Sequence, residues 1–137
     1  MPSITILVVD DFEPFRRFAC SILEREDGLR IIGEAADGLE AVQKIEELQP
    51  DLILLDIGLP RLNGLEVARR VGKLAPSARI LFVSQESFFD VVQECLRSGG
   101  RGYVHKQCAA SELLDAIKTV LAGGEIVSES LEARRAH

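Results

Sequence analysis

Asp10 and Asp11 stand side by side immediately after the apolar residues 6–9. Two like charges about 4 Å apart repel by roughly 1 kcal/mol in water and roughly 4 kcal/mol at a protein-surface dielectric. A third carboxylate, Asp56, closes the apolar run Leu52–Leu55, Ser84 follows the apolar stretch 80–83, and Lys106 comes two residues after Val104. Brought to one edge of one sheet, these groups would crowd three carboxylates, a hydroxyl and an ammonium together. A divalent cation offsets that repulsion, and Mg²⁺, a hard ion that takes oxygen ligands, suits the donor set. Singly, each residue has a plainer reading. Asp10 or Asp11 serves equally as an N-cap for a helix starting near Glu13. Asp56 before Ile57-Gly58-Leu59-Pro60 reads as a strand-ending turn, and Lys106 as a solvated lysine. The coincidence of all of them at strand ends is what accident explains poorly.

The elements that must hold these groups follow from periodicity. Ile4–Val9 is a continuous, β-branched run and predicts a strand. A helix over 13–26 follows, with Pro14 in its first turn and Phe15, Phe18, Ile22 and Leu23 on one face. Leu29–Ala35 is the second strand, and Asp37-Gly38 opens a helix with Leu39, Val42, Ile45 and Leu48 on one side. Leu52–Leu55 has no polar residue at all. Then come a helix over 64–75 stopped by Pro76, a strand over 78–83, a helix over 88–98 closed by Gly99-Gly100, and a short strand over 102–104. The last helix spans 111–122, with Ser111 as its cap and Gly123-Gly124 as its end. Strands alternating with helices predict an α/β fold, a doubly wound parallel sheet of five strands covered on both faces. In such sheets ligands bind outside the carboxyl ends of the strands.

A chain of 137 residues reads as one domain with a real core. The net charge of −6 argues against direct nucleic-acid contact, which needs a basic patch. Apolar runs as short as Leu52–Leu55 predict no membrane span. The opening Met1-Pro2-Ser3 has no basic region followed by an apolar one and predicts no secretion signal. Cys20, Cys95 and Cys108 are odd in number and widely spaced, as reduced cytosolic thiols are.

The segments "LVVDDFEP", "DLILLDIGLPRLNGLEV", "ILFVSQE" and "GYVHK", in this order, resemble the receiver domain of bacterial two-component response regulators. "GYVHK" and the preceding "SGGRGY" look most like the NarL-type subfamily, whose members usually carry a DNA-binding domain further on. The resemblance implies a flavodoxin-like (βα)5 fold with strand order 2-1-3-4-5, covering a receiver domain at 1–124. Residues 125–137 would be a tail or the start of a linker to an output domain. It also implies a role for each residue. Asp56 would accept a phosphoryl group from a phosphohistidine of a sensor histidine kinase. Asp11, Asp56 and the backbone carbonyl of Gly58 would ligate Mg²⁺, with Asp10 holding a metal-bound water. Lys106 would pair with a phosphoryl oxygen, the Ser84 hydroxyl would bond another, and Tyr103 would be an aromatic rotamer switch. Such a protein is a cytoplasmic signalling switch that catalyses only its own phosphorylation and dephosphorylation, and a homodimer through the last helix or the fourth-helix face fits the family.

Three departures qualify the match. Gln107 follows Lys106 where many receivers have a proline after a cis bond, so this loop is strained or trans. Gln85 occupies a position usually held by a small residue and narrows access to Asp56. Gly58 offers no side chain to orient an attacking water. His105 reads as strand-end packing, and Phe88-Phe89 as a helix-start anchor. Other functions fit less well. A haloacid-dehalogenase-type phosphatase wants a second carboxylate at Gly58, and a dinucleotide site wants glycines where Asp10-Asp11-Phe12-Glu13 would repel a pyrophosphate. A receiver-like interaction module that is never phosphorylated is the remaining alternative.

Overall fold

The computed structural model describes residues 3–128; residues 1–2 and 129–137, which carry part of the leader and tail readings, lie outside the described residues. The chain runs β1 (Ile4–Val9), α1 (Glu13–Glu24), β2 (Leu29–Ala35), α2 (Gly38–Leu48), β3 (Leu52–Leu55), α3 (Gly64–Leu74), β4 (Arg79–Ser84), α4 (Phe89–Arg97), β5 (Gly100–His105), α5 (Ala109–Leu121) and β6 (Ile126–Val127). All strand pairs are parallel, in the order β2-β1-β3-β4-β5-β6. The flavodoxin-like order 2-1-3-4-5 is therefore present, extended by one short strand.

Successive strand residues point to opposite faces, and both faces are covered, so the strands must be apolar at every position. Leu7 and Val9 of β1 pack on the side of α2, α3 and α4, with Ile45, Val67, Val71 and Val92. Ile6 and Val8 pack on the other side against α1 and α5, with Leu23, Leu113 and Ile117. Nearly every residue of β1, β3 and β4 is consequently sealed from water.

Several boundaries differ from the sequence expectations. Ser111 does not cap the last helix: α5 begins at Ala109, after a single 3-10 turn at Lys106–Cys108, and the Ser111 hydroxyl donates back to the Cys108 carbonyl at 3.2 Å. Ala109 is fully buried, and docking it against the sheet draws the helix start forward. β5 is longer than expected because Gly100 and Gly102 lie against Phe82, Leu81 and Ile126, too close for any side chain. β6 has only two residues, too few for a period to show; it pairs Ile126 with Gly102 and Val127 with Tyr103. The pair Phe88-Phe89 is not a buried anchor, since Phe88 is 72% exposed at the start of α4. Cys20 and Cys95 are free thiols inside the core, where burial pushes them up to about 11 and about 12, so neither is a nucleophile near neutral pH.

Candidate functional site

Strand register decides which carboxylates meet. Val9 pairs with Leu55, so Asp10 and Asp56, each one residue further, emerge side by side. The Asp56 N–H donates to the Val9 carbonyl at 3.1 Å, and the Asp10 N–H to the Ala35 carbonyl at 3.0 Å. Ser84 pairs with His105 on the far side of β3, which places Lys106 beyond the same edge.

The Lys106 ammonium lies between two of these acids, 2.8 Å from Asp10 Oδ2 and 3.2 Å from Asp56 Oδ2. It also sits 4.7 Å from the centre of the Phe15 ring, a cation–π contact that helps hold it at the end of its flexible stem. The other carboxylate oxygens are tied to backbone: Phe12 N–H donates to Asp10 Oδ1 at 2.8 Å and Ile57 N–H to Asp56 Oδ1 at 2.7 Å. Asp10 is therefore no helix cap. The N-cap of α1 is Phe12, which makes no side-chain cap bond.

Asp10 and Asp56 are buried, whereas Asp11 is exposed at the mouth. Burial holds the Asp10 carboxyl above its ordinary range, outweighing the hydrogen bond from Lys106, and the charge of Asp56 adds to the shift. Burial alone would lower Lys106; the bond to Asp10 and the charges of Asp56 and Asp10 outweigh it and hold the ammonium above its ordinary value. The two directions describe one imbalance, three carboxylates against one ammonium.

Asp10, Asp11 and Asp56 each present an oxygen within 4.8 Å of the others. This is an all-oxygen donor set with surplus negative charge, opening into a cleft of about 510 Å³. A divalent cation that prefers oxygen and keeps some of its water fits that arrangement. The cleft is lined by Asp11, Asp56, Gly58, Ser84, Gln85 and Lys106 among others. Gly58, expected to offer a carbonyl ligand, and Gln85, expected to narrow access to Asp56, both line this cleft.

Ser84 is 5% exposed at the end of β4, and its Oγ accepts from the Glu86 N–H at 3.4 Å. Tyr103 is fully buried beside Phe82, with ring centroids 6.5 Å apart, and its hydroxyl donates to the Glu86 carbonyl at 2.6 Å. Ser84 and Tyr103 both bond the backbone of Glu86, a residue the sequence did not single out, and their hydroxyls also lie within bonding reach of each other. His105 keeps a structural role. Its Nδ1 accepts from the Gln107 N–H at 3.2 Å, and its own N–H donates to Ser128 Oγ at 2.8 Å. The Lys106–Gln107 bond is trans, as no described peptide bond is cis.

Sequence reasoning also missed Gly64. A Cβ there would sit 2.0 Å from the Asp56 carbonyl oxygen, a clash between backbone segments that no rotamer relieves. The tight "LNG" turn before an amphipathic helix was the available signal. Gly64→Ala is expected to displace the β3 end, lowering the melting midpoint and weakening Mg²⁺ affinity together. A variant unchanged in both by calorimetry and Mg²⁺ titration would show that this approach does not position Asp56.

Comparison with known proteins gives a consistent answer. Residues 6–118 match the family model of the response regulator receiver domain. A relative from Pseudomonas aeruginosa is 42% identical over 118 residues, 86% of this chain and 56% of that protein. The transcriptional regulatory protein DegU of Brevibacillus brevis is 33% identical over 124 residues, 90% of this chain and 52% of DegU. This chain thus spans a little over half the length of these curated relatives. Among solved structures, a LuxR-family two-component response regulator from Aurantimonas sp. superposes with a TM-score of 0.90 at 29% identity, over 98% of this chain and 99% of that one. The signal receiver domain of NarL from Mycobacterium tuberculosis gives 0.85 at 28% identity, over 90% and 99%. A relative that regulates transcription stands partly against the expectation, drawn from net charge, of no nucleic-acid contact.

Proposed function

Because this chain belongs to the response regulator receiver domains of two-component signalling, of NarL type, we propose that it accepts a phosphoryl group on Asp56 from a sensor histidine kinase and changes conformation in response. Response regulators are signalling proteins, and receiver domains bind Mg²⁺ at an acidic pocket. The observation that carries the reading here is the Lys106 ammonium held between Asp10 and Asp56 in an open cleft that also exposes Asp11 and ends at Ser84.

In this reading an Asp56 oxygen attacks phosphorus as the bond from phosphorus to the donor imidazole breaks. Such transfer needs positioning and charge neutralisation more than covalent activation. Asp11, Asp56 and the Gly58 carbonyl, with Asp10 beside them, would hold Mg²⁺, which would supply neutralising charge for the phosphoryl oxygens. Lys106 leaves the Asp56 oxygen for a phosphoryl oxygen once that charge appears. The Ser84 hydroxyl turns to another, which loosens its contact with the Glu86 N–H. Tyr103, bonded to the same residue's carbonyl, is then free to change rotamer. A shift from about 1% to about 99% active takes about 5.5 kcal/mol of differential stabilisation, which a new dianion among charged donors can supply.

The same reading places the protein in the cytoplasm, with autodephosphorylation as its only other chemistry; no described helix is long and apolar enough to cross a membrane. It allows pairing of two copies across the α4 face, where Phe88 is exposed, and leaves DNA contact to parts of the relatives outside the matched half. Incubation with Mg²⁺ and acetyl phosphate, followed by intact mass measurement, tests the central claim. A gain of one phosphoryl group without continuous donor turnover is expected. An unchanged mass would leave the interaction-module reading, and steady turnover a phosphatase.

A further inference from the structure

Beyond the end of the β1 ladder, the Asp10 carbonyl is held by Arg16, whose Nη1 donates to it at 2.8 Å. The same guanidinium uses Nε to bond Glu34 Oε1 on β2 at 2.9 Å. Its side chain is only 17% exposed, and Lys44 donates to the Glu34 carbonyl on the other side. Arg16 lies in the first turns of α1, so it reaches back over the start of its own helix. Asp10, at the head of the turn between β1 and α1, is thereby held twice, by Phe12 N–H on its carboxylate and by Arg16 on its carbonyl. That turn carries both N-terminal acids.

Resting on the receiver reading, we infer that Arg16 is a positioning residue for the cation site. It holds the Asp10-Asp11 turn against β2 so that both carboxylates face Asp56, and it does so without touching the cation or Asp56. The fork geometry of a guanidinium suits the task, because one planar group makes two divergent bonds, to a carbonyl and to a carboxylate. An ammonium cannot reproduce both from one point.

The sign of the effect separates positioning from simple electrostatics. As a nearby positive charge, Arg16 repels a cation, so its removal would tighten Mg²⁺ binding through space. As a brace, its removal loosens binding, and outer-shell partners of metal ligands typically account for 10–100-fold in affinity. Mg²⁺ titration by calorimetry on the wild-type chain, Arg16→Ala and Arg16→Lys, alongside melting midpoints in EDTA, reads this directly. Arg16→Ala is expected to bind Mg²⁺ roughly tenfold more weakly or worse, with Arg16→Lys between it and wild type although its charge is unchanged. Equal or tighter binding by Arg16→Ala overturns the inference, as does a lowered midpoint with unchanged affinity, the mark of packing alone. Should Arg16→Ala not fold, wild-type affinity in Arg16→Lys overturns it instead. Absence of Mg²⁺ binding in the wild-type chain is a separate result, which removes the receiver reading itself.

Discussion

Asp56→Asn is expected to leave a folded chain that takes up no phosphate from acetyl phosphate in Mg²⁺. The substitution keeps the shape of the side chain, and its carbonyl oxygen can still accept from the Ile57 N–H, now 2.7 Å from Asp56 Oδ1. It removes the proposed nucleophile, since an amide oxygen lacks the charge that attacks phosphorus. Fold stability should not suffer. Lys106 retains its closer partner, Asp10 at 2.8 Å, and the repulsion between Asp10 and Asp56 that helps raise the Asp10 pKa disappears. The expected pattern is therefore complete loss of the mass shift together with a melting midpoint at or above wild type in the absence of metal. A phosphorylated Asp56→Asn chain would place the acceptor elsewhere, and a collapsed one would mean that Asp56 is chiefly structural.

Lys106→Ala should have the largest effect on stability. The lysine side chain is 10% exposed and neutralises Asp10 and Asp56, whose side chains are 4% and 8% exposed. Removing one partner of a buried ion pair leaves uncompensated charge, and a cost of about 3 kcal/mol is expected, the lower end of the usual range because the cleft admits water. The loss should depend on pH with a definite sign. Lys106 is held above its ordinary value, so its contribution is fully present below the ordinary lysine range and is lost as pH rises through the folded value. Asp10 is also held above its ordinary value, so the folded chain keeps that proton longer than the unfolded one. Its contribution is present below the ordinary aspartate range and declines as pH rises through the folded value. Without Lys106, whose bond and charge pull it down, Asp10 keeps its proton to higher pH still, so the variant loses more stability than wild type as pH rises. The difference between them should be wide at about pH 8 and narrow toward about pH 4, where carboxylates regain protons. Urea denaturation at both values measures it, and Mg²⁺ should recover more stability in the variant than in wild type. A pH-independent difference would mean that what is lost is the packing of the lysine side chain, only 10% exposed, and not its charge.

Much of this protein could be read along the chain. The pattern of β1, β3 and β4 is legible because both faces of each are buried: Ile6, Leu7, Ile53 and Leu54 have no polar alternates, so the run itself announces a covered parallel strand. The helices announce themselves through one apolar stripe each. The acidic residues and Lys106 were visible as types, and their placement at strand ends followed from the order of elements.

Other features are not written locally. β6 has two residues and exists because Ile126 and Val127 find the free edge of β5; neither carries a period of its own. The start of α5 at Ala109 depends on burial against the sheet, which outweighs the local preference of Ser111 for a cap. Arg16 and Glu34 are 18 residues apart, and no spacing rule joins them; only the pairing of β1 with β2 does. The convergence of Ser84 and Tyr103 on Glu86 depends in the same way on β4 lying beside β5.

The amino-acid order by itself determined the alternation of buried strands and amphipathic helices, because hydrophobic burial acts on each segment through its own period, and it placed three acids and one lysine at segment ends. What only the tertiary structure decided is which of those charges come within bonding distance, how Asp10 is braced and what Tyr103 holds. Register and packing set those separations between residues distant in sequence, and electrostatic and hydrogen-bond energies change steeply over a few ångströms.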